Sequence, residues 1–68
     1  MELDVDTKKT IIASRINKLA SDRYQIELNH KFSLEQNNEE AVQQYKAALD
    51  STDQAIEFHK KELAALDA

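Results

Sequence analysis

The chain has 68 residues, of which 41% are hydrophobic and 32% charged, with a net charge of −4. It contains no Gly, Pro or Cys, which excludes a disulfide framework and thiolate chemistry and argues against a fold with many tight turns. No apolar run is long enough for a transmembrane helix or a secretory signal, so we expect one cytoplasmic domain without membrane contact.

The first segment, residues 1–6, is acidic and is expected to form a flexible lead-in. Asp4, Asp6 and Thr7 are each suited to cap the helix that follows, because their side-chain oxygens can accept a hydrogen bond from a backbone N–H. The pattern leaves the choice between these three residues open.

A first helix is predicted over about residues 7–36. One stripe of this segment has positions that alternate in spacing between four and three, which is a heptad pattern. The stripe consists of Ile12, Ile16, Leu19, Arg23, Ile26, His30 and Ser33, and Leu34 is expected on the same side of the helix.

Residues 24–34 also fit a β-strand. Apolar and polar residues alternate there through Tyr24, Ile26, Leu28, His30, Phe32 and Leu34. Strict alternation is the strand signal. Against a strand stand the helix-favouring Gln, Glu, Leu and Lys residues and the lack of β-branched residues other than Ile26. We therefore favour a helix and keep the strand as the alternative.

Asn37 and Asn38, near the middle of the chain, predict a bend at 37–38. Asn37 tolerates the left-handed conformation that ends a helix, a position more often occupied by Gly. Asn38 is a good N-cap residue, and Glu39 and Glu40 suit the positive end of the next helix dipole.

A second helix is predicted over about residues 39–67. Its stripe has the same alternating spacing and consists of Val42, Tyr45, Leu49, Thr52, Ile56, His59, Leu63 and Leu66. If the chain bends between residues 37 and 38, facing residues have numbers that add to about 75, and every position of one stripe meets a position of the other. The sequence therefore predicts an all-α fold, an antiparallel two-helix hairpin (a coiled coil) over residues 7–68. We call the apolar contact residues of the two helices the hydrophobic seam: Ile12, Ile16, Leu19, Ile26, Val42, Tyr45, Leu49, Ile56, Leu63 and Leu66.

Charged residues also predict pairing of the two helices. Residues 7–36 carry a net charge of +3 and residues 38–68 a net charge of −4. Arg23, opposite Thr52 with Asp22 and Asp53 nearby, predicts a polar layer that fixes the register. Further proximity is expected for the pairs Arg15 with Glu62 and Glu27 with Lys46.

Several apolar residues point away from the seam. Those predicted to form an interface are Tyr24, Leu28, Phe32 and Phe58. A second set consists of small residues that flank the seam: Ala41, Ala48 and Ala55 in the second helix, and Ala13 and Ala20 in the first. A lone hairpin of this length buries little, and small flanking residues let further helices approach. We expect a homodimer that forms a four-helix bundle. Two alternatives are that these residues are scattered surface residues, or that they bind a different protein.

The sequence gives no sign of catalysis. His30 and His59 are about 21 Å apart along the predicted hairpin at 1.5 Å per residue, so they cannot share a metal within one chain. We interpret both as residues of the interhelical stripes. No catalytic residue, metal ligand or cofactor site is predicted, and the protein is expected not to be an enzyme.

In length and pattern the chain resembles small plasmid-encoded RNA-binding helical hairpins that dimerise into four-helix bundles, although its negative charge departs from RNA binding. The runs Arg23-Tyr24-Gln25-Ile26-Glu27-Leu28-Asn29 and Asn37-Asn38-Glu39-Glu40-Ala41 resemble short helical-hairpin proteins of tailed bacteriophages, mostly of unknown function. This second resemblance covers about a third of the chain. It implies a small accessory protein made in a bacterial cytoplasm.

These observations predict a non-enzymatic protein–protein interaction module that associates with itself and acts as an adaptor, an inhibitor or a structural accessory protein. The alternative is a small nucleic-acid-binding regulator that uses the basic face of helix 1, formed by Lys8, Lys9, Arg15 and Lys18. The net negative charge makes nucleic acid the less favoured partner.

Overall fold

The structure is a computed structural model that describes residues 2–67. Two helices, α1 (Val5–Glu35) and α2 (Glu39–Asp67), pack against each other. The predicted all-α fold and helical hairpin are therefore confirmed. Met1 and Ala68, at the ends of the predicted lead-in and hairpin, lie outside the described residues.

Helix α1 begins two residues before its predicted start, so Val5 and Asp6 are helical and do not belong to a lead-in. The cap is Asp4, whose backbone is extended and whose Oδ1 accepts a hydrogen bond from the Thr7 N–H at 2.7 Å. This bond to the backbone is the main cause that lowers the pKa of the Asp4 carboxyl. An ionised carboxylate is the stronger acceptor at a helix N-terminus.

Helix α1 is continuous through residues 24–34, so the strand alternative is wrong. The alternation there arises because two different faces of one helix both carry apolar residues. Ile26 is half-buried against α2, whereas Tyr24 and Leu28 are exposed.

The bend consists of Asn37 and its neighbours. Asn37 has φ of 56°, the left-handed region, which confirms its predicted conformation. Its N–H donates to the Leu34 carbonyl and the Asn38 N–H donates to the Ser33 carbonyl, both at 3.1 Å, which is the Schellman pattern of helix ends. The Asn38 side chain then accepts a hydrogen bond from the Ala41 N–H at 3.2 Å, which confirms Asn38 as the cap of α2.

The hairpin is long and thin, with extents of 51 × 19 × 15 Å and a radius of gyration of 15.6 Å. A compact domain of this length has a radius of gyration of about 11 Å. Its solvent-accessible surface is 5382 Å², whereas a compact monomer of the same mass exposes about 4,400 Å². The fold therefore leaves an excess of surface in contact with solvent.

Candidate interaction surface

The hydrophobic seam is covered only in part by the hairpin. Each of its residues is half-buried, and no hydrophobic side chain within residues 2–67 is fully buried. The buried residue near the bend is Ser33, 4% exposed, whose hydroxyl donates to the His30 carbonyl at 2.7 Å. The packing of α1 on α2 thus leaves part of each seam side chain exposed to solvent.

Leu34 corrects one expectation, because it is 52% exposed and does not lie on the seam side. It follows the buried Ser33 by one residue, which turns its side chain by about 100° around the helix. It also lies in the last turn of α1, directly before the chain reverses. Its side chain lines a shallow depression with Glu39 and Val42 at the bend.

The four predicted interface residues are all exposed: Tyr24 by 59%, Leu28 by 47%, Phe32 by 63% and Phe58 by 58%. The structure does not bring them onto one flat face. Along α1, each step of four residues turns the side chain by about 40°, so Tyr24 and Phe32 differ in direction by about 80°. Leu28 lies between them, almost opposite the seam.

One broad face of the hairpin carries the three small residues Ala41, Ala48 and Ala55, all half-buried beside the seam. We call it the alanine face. Three surface depressions follow this face from the bend to the chain ends. Their apolar linings include Phe32, Ala41 and Tyr45; then Leu19 and Ala55, beside His59; then Ile11, Ile12 and Leu66. Charged side chains border the second and third depressions: Arg15, Lys18, Asp22, Lys8 and Glu62. Because a methyl side chain is too short to cover its neighbours, seam residues reach the surface on this face.

The opposite face, which we call the charged face, carries the ion pairs that join the two helices. Lys9 Nζ lies 2.5 Å from Asp67 Oδ1, and Arg23 Nε lies 2.5 Å from Asp53 Oδ1. A second contact of 3.4 Å between Arg23 Nη2 and Asp53 Oδ2 makes this pair bidentate. Long charged side chains therefore cover the seam on this side, where Ala13 and Ala20 are exposed.

The predicted polar layer around Arg23 is thus present, with Asp53 as its partner. The other two pairs were predicted to lie close together, and this proximity stays a prediction: within residues 2–67, Arg15 forms no ion pair with Glu62, and Glu27 forms none with Lys46. Glu27 instead lies 4.0 Å from Arg23, one turn away on the same helix. In both interhelical pairs the residue numbers add to 76, one more than the predicted 75.

Electrostatic effects follow these pairs. The hydrogen bond from Arg23 lowers the pKa of the Asp53 carboxyl, and the same contact raises the pKa of the Arg23 guanidinium. The hydrogen bond to Asp67 likewise raises the pKa of the Lys9 ammonium. Lys18 lies 3.3 Å from Asp22. Two of the four basic residues considered for nucleic-acid contact, Lys9 and Lys18, therefore already engage carboxylates of this chain.

The two histidines are half-buried between the helices. His59 Nδ1 donates a hydrogen bond to the Ala55 carbonyl at 2.6 Å, which requires the proton on Nδ1. Its ring also meets that of Phe58 edge-on, with centroids 5.4 Å apart. Within the part of the chain that the structure describes, no group of three or more His, Cys, Asp or Glu residues is placed to hold a metal ion.

Sequence reasoning missed three exposed apolar residues, Leu3, Val5 and Ile11. A signal for Ile11 was present, because it precedes Phe32 by 21 residues, which is three heptads and returns to the same helix face. No such signal marks Leu3, which lies outside the helix and reaches Ile11 and Leu66 only through the fold. The alanine face thus has large apolar residues at both of its ends.

Comparisons with protein families, with curated proteins and with solved structures find no match to this chain. Neither helix of the described residues combines the length and the apolar character needed to cross a membrane.

Proposed function

We propose that this protein is a non-enzymatic protein–protein interaction module, a helical hairpin that associates with itself into a homodimeric four-helix bundle. The observation that supports this proposal is the open hydrophobic seam: no hydrophobic side chain of residues 2–67 is buried. Large apolar residues are 44–63% exposed on both helices. A second layer of helices is the simplest way to cover them.

The size of the exposed surface supports the same conclusion. The chain exposes about 1,000 Å² more than a compact monomer of its mass, and a standard interface buries about 800 Å² on each partner. Isolated helices are marginal in water, and most of their stability in proteins comes from packing an apolar face. Self-association would supply that packing.

In this proposal the assembled bundle acts by binding another protein, as an adaptor, an inhibitor or a structural accessory protein in a bacterial cytoplasm. The bacterial setting rests on the resemblance to phage hairpin proteins. The exposed Tyr24 and Leu28, which point away from α2, are the residues available for such a partner.

Self-association is tested by sedimentation equilibrium of the purified protein between 5 and 100 µM, which are about the concentrations at which weak dimers form. We expect twice the chain mass of 7.8 kDa. The variant Phe32→Glu should shift the sedimentation toward the monomer and keep its helical circular dichroism, because a charge at this exposed apolar position opposes burial. A monomer mass for the unmodified protein at 100 µM would contradict the proposal.

A further inference from the structure

We infer that the second copy packs on the alanine face, with α1 of each copy against the partner's α2 and both bends at the same end of the bundle. This inference rests on the proposed self-association and specifies its face and orientation. Of the predicted interface residues, it places Phe32 at the border of the dimer interface, because Phe32 lines the alanine face. Tyr24 and Leu28 point away from that face and lie outside the dimer interface.

The choice of face follows from what covers the seam on each side. On the charged face, the Arg23–Asp53 and Lys9–Asp67 pairs lie across the seam, and burying them under a second layer would remove charged groups from water. On the alanine face, the methyl groups of Ala41, Ala48 and Ala55 leave room for helices to approach closely. Three depressions along the alanine face open onto seam residues, whereas the other depression that reaches the seam, at Val42, is confined to the bend.

The choice of a second copy follows from area and length. The alanine face runs along the whole 51 Å hairpin, and the 19 Å width of the hairpin matches two helices side by side. An identical hairpin would therefore cover it from end to end. The surface in excess of a compact monomer, about 1,000 Å², is close to what one partner buries in a stable dimer.

The choice of orientation follows from charge. Helix α1 carries six basic and four acidic side chains, whereas α2 carries three basic and seven acidic ones. Two hairpins stacked face to face with twofold symmetry can place α1 over the partner's α2, or α1 over the partner's α1. Only the first arrangement sets net positive against net negative charge along both helices.

This orientation also matches large residues with small ones. A twofold axis along the helices keeps every residue at its own height, and Phe32 and Ala41 line the same depression. Phe32 of one copy therefore lies near the partner's Ala41. Pairing a large side chain with a small one across an interface is how helical layers interlock.

The face is tested with two adjacent substitutions to the same residue. Ala48 is half-buried on the alanine face, and Ala47 is exposed and points about 100° away from it around α2. We expect Ala48→Glu to weaken dimerisation by about tenfold to a hundredfold in sedimentation, because its carboxylate would be buried without a partner. Ala47→Glu should leave the dimer unchanged. Equal effects of the two variants, or dissociation by Ala47→Glu alone, would overturn the choice of face.

The orientation is tested by a distance. The chain has no cysteine, so Glu40→Cys near the bend gives one spin label per copy. With both bends at one end, the two labels should lie about 30 Å apart or closer, the width of a four-helix bundle. With bends at opposite ends they would lie about 45 Å apart, given 1.5 Å per residue along the helices. The longer distance would overturn the orientation.

The outcomes separate this inference from the function on which it rests. A dimer that resists Ala48→Glu, or that shows the long label distance, contradicts the inference and leaves self-association standing. A monomer in every sample contradicts both. Circular dichroism of each variant identifies a loss of helix, and in that event Ala48→Gln, which adds similar bulk without charge, replaces Ala48→Glu in the comparison.

Discussion

Asn37 shows how one residue fixes the path of the chain in a sequence without Gly. Its φ of 56° lies in a region that costs most residues about 1–2 kcal/mol and costs Asn less. Gly enters this region freely. We expect Asn37→Gly to keep the free energy of unfolding or to raise it by up to about 1 kcal/mol, measured by urea denaturation.

A matched control for this prediction is Asn17→Gly. Asn17 is exposed within α1, where Gly lowers helix stability by about 0.3 kcal/mol relative to Asn. The same substitution should therefore have opposite or clearly different effects at the two sites. A loss at Asn37 as large as that at Asn17 would show that its left-handed conformation does not limit stability.

The bend could be predicted from sequence because its chemistry is local. A left-handed residue and an N-cap depend on neighbours within a few positions, and Asn37 and Asn38 suit these two roles. The first residue of α1 could not be predicted from the sequence with the same accuracy. Asp4, Asp6 and Thr7 can all accept the capping hydrogen bond, and only the three-dimensional path of the backbone selects Asp4.

The contacts between the two helices were predicted better by the spacing of apolar residues than by the positions of charged residues. The half-buried residues of α1 and α2 follow the four-and-three pattern because a 3.6-residue period places those positions on one side. Ion pairs depend instead on side-chain rotamers and on competing neighbours. Glu27, for example, lies 4.0 Å from Arg23, one turn away on its own helix, and within residues 2–67 it forms no ion pair with Lys46.

The Arg23–Asp53 pair between α1 and α2 predicts a dependence of stability on pH. The folded-state pKa of Asp53 is lowered from its ordinary value of 3.8, mainly by the hydrogen bond from Arg23. The pair therefore stabilises the fold above pH 3.8, and this contribution is lost as the pH falls through the lower folded-state pKa. We expect Asp53→Asn to reduce the melting temperature at pH 7, with the difference from the unmodified protein vanishing below that value.

Because this pair is exposed, the effect at pH 7 should be small and should shrink further at high salt. Asp50→Asn is the control, since Asp50 is an exposed carboxylate three residues away on the same helix. A difference between Asp53→Asn and the unmodified protein that persists in acid would assign its effect to packing and not to the ion pair.

At the scale of the whole molecule, neither the sequence pattern nor a single chain determines what covers the alanine face. The spacing of Tyr24, Leu28 and Phe32 predicted that they point away from the seam. That Phe32 borders the alanine face while Tyr24 and Leu28 do not became visible only from the positions of both helices. The exposed apolar surface leads to a test on the whole molecule. If a second copy covers this surface, the stability of the hairpin depends on the protein concentration. A fold that depends on a partner copy is stabilised by mass action, whereas a self-sufficient hairpin is not.

The proposed dimer therefore predicts a melting temperature that rises with protein concentration. A tenfold increase should contribute about 1.4 kcal/mol per dimer, which raises the melting temperature by about 3–6 °C for an assembly of this size. Circular dichroism melts from 5 to 500 µM, a range of about two decades chosen to span weak dimerisation, would measure the slope. Ala48→Glu is the control, because a variant with weakened dimerisation should melt at a lower temperature than the unmodified protein at each concentration. If the unmodified protein melted at one temperature throughout this range, its stability would come from the hairpin alone, and the open seam would have no part in holding the fold together.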